Sequence, residues 1–135
     1  MNVLDTNTWI YSHDTRDPVK QQKALVLIAT LRPLALPWQV GCEFIAASRK
    51  LSPCGFTEVK AWTALQQMQN LVDKVLIPDV ALWPLARTLK VRYQLPFWDA
   101  LLVAACIREG ATDLYSEDFQ DGIAFGNLRV RNPFK

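Results

Sequence analysis

Histidine is almost missing from this chain: His13 stands alone among 135 residues. A mechanism that needs two imidazoles as acid and base is therefore excluded. Cysteine is scarce too, since Cys42, Cys54 and Cys106 are odd in number and show no Cys-x-x-Cys spacing. That argues against a disulfide framework and a thiolate zinc site, and leaves reduced, buried thiols as the expectation. The chain has no Gly-x-Ser-x-Gly elbow, no Gly-x-x-x-x-Gly-Lys-Ser/Thr phosphate cradle and no Gly-x-Gly-x-x-Gly, so the enzyme classes built on those turns drop out. Pro33, Pro37, Pro53, Pro78, Pro84 and Pro96 punctuate the apolar segments, and no run reaches bilayer-spanning length. The first residues, Met1 to Asp5, lack a basic region followed by an apolar signal segment, so a soluble, cytoplasmic protein is expected. Charge of one sign is also lacking. The formal net charge of +2 is too small to mark a nucleic-acid binder, and the local clusters Arg87, Lys90, Arg92 and Arg129, Arg131, Lys135 read as solvated surface.

What is present is apolar residue in quantity, 50% of the chain, enough to enclose one core but not two. Without a repeat, low-complexity tract or linker to divide it, residues 1–135 are expected to form a single domain. Asn2 to Leu4 reads as a short strand, followed by the turn Asp5-Thr6-Asn7 and a short helix from about Thr8. Ala24, Leu25, Leu27, Ile28 and Leu31 recur at helical spacing from Pro18 until Pro33 stops the helix. Leu34 to Leu36 follows as a second strand. Trp38 to Lys50 reads as a helix with Val40, Phe44 and Ala47 inward and basic residues at its carboxyl end, as the helix dipole prefers. Thr57 caps a helix to about Asn70, Val75 to Ile77 forms a third strand, and Asp79 caps a helix ending near Tyr93. Asp99 then opens Ala100 to Arg108, a helix so uniformly apolar that burial on most sides is expected. Thr112 to Tyr115 and Leu128 to Val130 are the remaining strands. Strands alternating with helices predict an α/β fold, a three-layer α/β/α arrangement around a short, mainly parallel sheet.

In such sheets ligands bind outside the carboxyl ends of the strands, and four scattered acids belong there. Asp5 and Asp118 directly follow strands, Glu43 lies about two turns into the helix after the second strand, and Asp99 begins a helix whose amino end faces the same edge. Bare carboxylates at that density repel, and a divalent cation removes the difficulty. All-oxygen ligation suits magnesium or manganese, and the chemistry implied is metal-dependent phosphodiester hydrolysis. Each acid also has an ordinary structural role open to it. Asp99 can simply cap its helix, and Asp118 can be a solvated turn residue with Glu117 and Asp121 beside it. Glu43 shares a face with apolar residues and needs a partner or an ion to offset desolvation. Asp5 sits in an apolar strand end, where Thr6 can hold its carboxylate and Asn7 lines the same turn. Trp9, Trp38 and Trp98 read as core aromatics before base-stacking platforms, His13 as a helix-end surface residue, and the stripe Phe56, Trp62, Leu65, Met68 and Leu71 as core packing, or an interaction surface where exposed.

Taken together, Val3-Leu4-Asp5-Thr6-Asn7, Glu43-Phe44, Trp98-Asp99-Ala100-Leu101-Leu102-Val103-Ala104-Ala105 and Tyr115-Ser116-Glu117-Asp118-Phe119-Gln120-Asp121-Gly122 resemble, in order and spacing, the PIN domain family. Within it the likeness is to VapC-type toxins of bacterial toxin–antitoxin pairs, which the Asn132-Pro133-Phe134 ending shares. The resemblance covers essentially the whole chain. It implies a Mg2+- or Mn2+-dependent endoribonuclease that cuts RNA and stops translation until a cognate antitoxin blocks it. The acids carried over are Asp5, Glu43, Asp99 and Asp118, with Glu117 and Asp121 competing for the fourth place, and with Thr6 and Ser116 orienting the ligands. It further implies a homodimer and a dimeric VapB-like antitoxin whose tail occupies the groove near the acids.

Three rivals carry different expectations. An aspartate-based phosphotransferase also places an Asp after the first strand, but usually wants a second Asp where Asn7 stands. A non-catalytic PIN-like module acting with a DNA-binding antitoxin would have been free to lose its acids. A PIN nuclease acting on DNA is expected to carry extra elements for gripping a duplex, and this chain is short.

Overall fold

The computed structural model describes residues 1–135. Its centre is a six-stranded sheet in the order β3-β2-β1-β4-β6-β5, where β1 is Asn2–Leu4, β2 Leu34–Pro37, β3 Lys74–Leu76, β4 Asp113–Tyr115, β5 Ala124–Phe125 and β6 Leu128–Arg131. Every pairing is parallel except β5 with β6. The helices are α1 (Thr6–Tyr11), α2 (Pro18–Thr30), α3 (Trp38–Ala47), α4 (Glu58–Leu71), α5 (Leu82–Tyr93) and α6 (Phe97–Arg108), with a 3-10 helix at Ser48–Cys54. This is the mixed α/β architecture with a mostly parallel central sheet that the alternation of elements predicts.

The central strands explain why the sheet forms here. Val3, Leu4, Leu34, Ala35, Leu36, Leu114 and Val130 are at most 2% exposed, and parallel strands covered on both faces read as continuous apolar runs. They belong to one cluster of 27 buried residues that also takes in Val40 and Phe44 of α3 and Leu102, Val103 and Ala104 of α6. Burying a side chain of that size stabilises by about 1.5–3 kcal/mol. Val40 and Phe44, one turn apart, therefore fix the rotation of α3 about its axis. Glu43 lies about 100° from Phe44 around the helix, which puts it at the margin of the buried face. Thr57 caps α4 by accepting from the Lys60 amide at 3.2 Å.

Several expectations need correction. The helix expected to run to Lys50 ends as an α-helix at Ala47 and tightens into the 3-10 segment, which carries Pro53 and closes at Gly55 with φ +76°. β5 was not foreseen; it forms a hairpin with β6 through Gly126, whose φ is +61°. Asp79 does not occupy the N-cap of α5, which is Ala81; its carboxylate instead accepts from the Ala81 amide, two residues on. Of the thiols expected to be buried, Cys106 is, and burial pushes it up to about 12. Cys42, in contrast, is exposed. Trp9 is a core residue, but Trp38 and Trp98 are 55% and 62% exposed, because Val40 and Ala100 take the inward phases of their helices. In the stripe around α4, Met68 is buried while Trp62 and Leu71 are exposed. His13 is half-buried against Phe44 and Phe56, and desolvation lowers its pKa. The basic residues Arg131 and Lys135 are consumed in ion pairs with Asp113 and Asp121. No helix is long and apolar enough to cross a membrane.

Candidate functional site

The carboxyl edge of β1 and β4 carries the site. Asp5 follows β1 directly and is only 8% exposed. Its Oδ1 accepts from the Thr6 amide at 2.7 Å, which makes it the N-cap of α1. Its Oδ2 accepts from the Ser116 hydroxyl at 2.7 Å. Ser116 follows β4, is buried, and its Oγ accepts in turn from the Asp118 amide at 3.1 Å. One hydroxyl thus ties the turns after two adjacent parallel strands together and sets the distance between their acids.

Glu43 reaches the same place from α3. Its Oε1 accepts from Gln39 Nε2 at 3.1 Å, and that amide also donates to the Trp98 carbonyl at 3.0 Å. Gln39 therefore bridges α3 to the first turn of α6, where Asp99 lies. Asp99 does not cap its helix: the N-cap is Pro96, and no side chain closes that end. The capping role that competed with a functional one is not the role Asp99 plays.

Asp5, Glu43, Asp99 and Asp118 line one cavity of about 410 Å3, together with Thr6, Asn7, Gln39 and Lys50. The two acids that competed with Asp118 point elsewhere. Glu117 accepts from the Tyr11 hydroxyl and from Lys20 Nζ, and Asp121 accepts from the Asn132 amide and pairs with Lys135. Asn7 donates to Asp118 at 3.4 Å, at the long end of a hydrogen bond. Gln39 and Lys50 were missed by sequence reasoning. For Gln39 the available signal was its i, i+4 relation to Glu43 on a helix; for Lys50 there was none.

All four acids are held above the ordinary carboxylate range. Burial raises Asp5 most, against the opposing hydrogen bonds from Ser116 and Thr6, and Asp118 and Asp99 raise it further. Glu43 is raised by burial and then by the charges of Asp5, Asp99 and Asp118. Asp99 is raised by burial and by Asp118. Asp118, at the cavity mouth, is raised by partial desolvation and Glu117, and lowered by Lys50. No three of the carboxylates close to ligating separation as a ready-made cage, so water must complete the shell of any ion they hold. The donor set is all oxygen, and the Thr6 hydroxyl is buried beside it without a hydrogen-bond partner. That combination fits a hard divalent cation with its water shell.

A consequence for stability follows. Because the folded pKa values of these acids lie above the ordinary 3.8 and 4.5, ionising them costs the folded state more than the unfolded one. The penalty is absent below the ordinary values and complete above the raised ones. These acids therefore favour about pH 5 over about pH 7.5 in protein treated with chelator, while His13, whose pKa burial lowers, works in the opposite sense below its ordinary value; a His13→Gln background isolates the acids, and a divalent ion is expected to stabilise the protein more at the higher pH. Urea unfolding at both pH values, with and without Mg2+, checks this. Below the ordinary range the trend reverses, since Asp14, Asp113 and Asp121 have lowered pKa values and lose their favourable contacts on protonation.

The profile of the PIN domain matches residues 3–120. The chain belongs to the PIN domain family. No curated protein sequence matches it, but solved structures do. VapC20 of Mycobacterium tuberculosis, described as a sarcin-ricin loop cleaving toxin, superposes with a TM-score of 0.69 at 21% identity, over 87% of this chain and 90% of that one. A toxin–antitoxin complex from Klebsiella pneumoniae gives 0.68 at 16%, over 100% and 99%. VapBC2 of Rickettsia felis, bound to a DNA fragment from its promoter, gives 0.68 at 15%, over 97% of each chain. At these identities the likeness establishes the fold of this PIN domain, and its chemistry has to be argued from its own residues.

Proposed function

We propose that this PIN domain is a metal-dependent endoribonuclease of the VapC type, with residues 1–135 acting as one nuclease unit. The observation that carries the reading is the convergence of Asp5, Glu43, Asp99 and Asp118 on one cavity at the carboxyl edge of the sheet. These acids come from four separate segments, and all four are raised by burial, with repulsion from others of the four adding to it at Asp5, Glu43 and Asp99. A fold gains nothing in stability from such an arrangement, so its use lies in what the acids bind. They would hold Mg2+ or Mn2+, which when bound lowers the pKa of coordinated water and neutralises charge on a phosphodiester. The protein's own part is placement. Ser116 fixes Asp5 and Asp118 relative to one another, Gln39 fixes Glu43 against the start of α6, and the unpaired Thr6 hydroxyl and Asn7 remain as polar lining for water or substrate oxygen.

The biological role that goes with this reading is that of a cytoplasmic toxin which cuts RNA, halts translation and is neutralised by a VapB-like antitoxin. An apolar groove of about 480 Å3 supports the partner. It is walled by Trp38, Cys42, Leu76, Leu82, Trp98 and Leu101, and it shares Gln39, Glu43 and Ala46 with the acid cavity. Two exposed tryptophans beside a charged site are costly to leave wet and suit an apolar protein segment. Homodimerisation belongs to the same proposal.

The test is incubation of total cellular RNA, and separately of DNA, with purified protein in Mg2+, in Mn2+ and in chelator. Discrete RNA fragments that require metal, with DNA left intact, are expected. Cleavage that survives chelation would refute the metal-dependent reading. A folded, partner-free protein that cuts neither nucleic acid would shift the reading to a non-catalytic module, and one that cuts DNA to the DNA nuclease alternative.

A further inference from the structure

Lys50 is the only cationic residue lining the acid cavity. Its ammonium group makes no hydrogen bond, and no carboxylate lies within 4.0 Å of it, unlike those of Lys20, Lys74 and Lys135. Its backbone is anchored all the same. Lys50 sits in the 3-10 helix just before the fully buried Leu51, and its carbonyl accepts from Arg16 Nη2 at 3.1 Å. Arg16 is itself held by Asp14 through bonds of 2.9 and 3.2 Å. The stem is thus fixed at the mouth of the cavity while the charged end is free.

The electrostatics of the site call for such a group. Four carboxylates against one divalent ion leave the cavity negative, and an incoming phosphodiester adds a further negative charge that the acids repel. A lysine acts on phosphate as a mobile point charge, strongly hydrated when alone and able to move to the oxygen it meets. We propose that Lys50 binds a non-bridging oxygen of the RNA phosphodiester that enters the acid cavity, a substrate-binding role distinct from holding the ion. The proposal rests on the nuclease reading above.

The competing explanation is that Lys50 only offsets the acids, whose member Asp118 it does influence. The two differ in what each moves. Binding of fluorescently labelled single-stranded RNA of mixed sequence would be measured with the full chain and Ca2+ in place of Mg2+, for wild type, Lys50→Ala, Lys50→Arg and the exposed control Lys23→Ala. Mn2+ affinity by calorimetry and RNA cleavage rates in Mg2+ would be followed in parallel. Lys50→Ala is expected to weaken RNA binding roughly five- to tenfold and to flatten the log–log salt dependence by about 0.7, as loss of one phosphate contact to a single strand should. KM should rise with it, Lys50→Arg should restore binding to within about twofold, Mn2+ affinity should hold or rise because a positive charge beside the acids is removed, and the Lys23→Ala protein should stay as wild type. If Lys50→Ala binds and cleaves RNA with wild-type KM and salt slope, the proposal is overturned and the nuclease reading stands. If the effect appears only in Mn2+ affinity, Lys50 balances the acids and does not hold phosphate. If wild type itself neither binds nor cuts RNA, the nuclease reading falls first and takes this role with it.

Discussion

Replacing Asp5 with asparagine is expected to abolish metal-dependent RNA cleavage while leaving the protein folded. The two halves of that outcome rest on different properties of one side chain. As the N-cap of α1, Asp5 accepts from the Thr6 amide, and asparagine caps a helix about as well as aspartate. With its single oxygen accepting from Thr6, the asparagine turns its Nδ2 toward Ser116, whose hydroxyl can rotate to accept from it, and removal of a buried charge that Asp99 and Asp118 oppose relieves strain in the ion-stripped protein. Its thermal midpoint without divalent ion should therefore equal or exceed that of wild type. What is lost is the anionic donor at the best-ordered point of the cavity. Substitutions of groups that merely orient a metal ligand cost roughly 10- to 100-fold in affinity or activity, so loss of the ligand itself should exceed that range. Cleavage by Asp5→Asn within about tenfold of wild type, at saturating Mn2+ and with contaminating nuclease excluded, would remove Asp5 from the ligand set.

The second large effect is expected in cells. Expression of this chain without a partner should arrest growth, and Asp99→Asn should lift the arrest at equal protein level. Asp99 is the informative choice because its side chain makes no hydrogen bond within the protein and leaves the end of α6 uncapped. Asparagine there changes the charge of the cavity but disturbs no structural contact. Persisting arrest by a soluble Asp99→Asn protein would mean that toxicity comes from the exposed tryptophans or another surface and not from hydrolysis. Loss of arrest caused by loss of protein would show on an immunoblot.

The acids were legible in the sequence for a definite reason. A residue directly after a buried parallel strand has little choice of position, and Asp5 and the Ser116–Asp118 turn are both of that kind. Glu43 was placed by the phase of Val40 and Phe44, which the 3.6-residue period reveals. The same phase relation, followed further, would have turned Cys42 and Trp38 outward, where they were expected as a buried thiol and a core aromatic. Asp99 was read against a helix start at Ala100, three residues late, since α6 begins at Phe97 behind Pro96, and capping was therefore left open for a residue that lies inside the first turn. Choosing among Glu117, Asp118 and Asp121 depended on contacts with Tyr11, Lys20, Asn132 and Lys135, each of them more than ten residues from the acid it holds, and no local pattern encodes those. β5 is two residues long, too short for any periodicity, although the Gly126-Asn127 pair between it and β6 is a recognised hairpin signal. Lys50 depends on where a 3-10 segment turns after α3, a matter of tertiary packing.

The amide of Gln39 spans two regions of different chemistry. It holds Glu43 with the same nitrogen that it donates to the Trp98 carbonyl, and Trp98 walls the apolar groove while Glu43 lines the acid cavity. An occupant that shifts the backbone at Trp98 would lengthen or redirect a bond that shares its donor with the one holding Glu43. Binding in the groove and binding in the cavity are then two ends of one thermodynamic cycle. If seating a partner weakens ion binding by some factor, loading the ion weakens the partner by the same factor. Under the function proposed above, divalent-ion concentration would in that way set how firmly a partner in the groove is held.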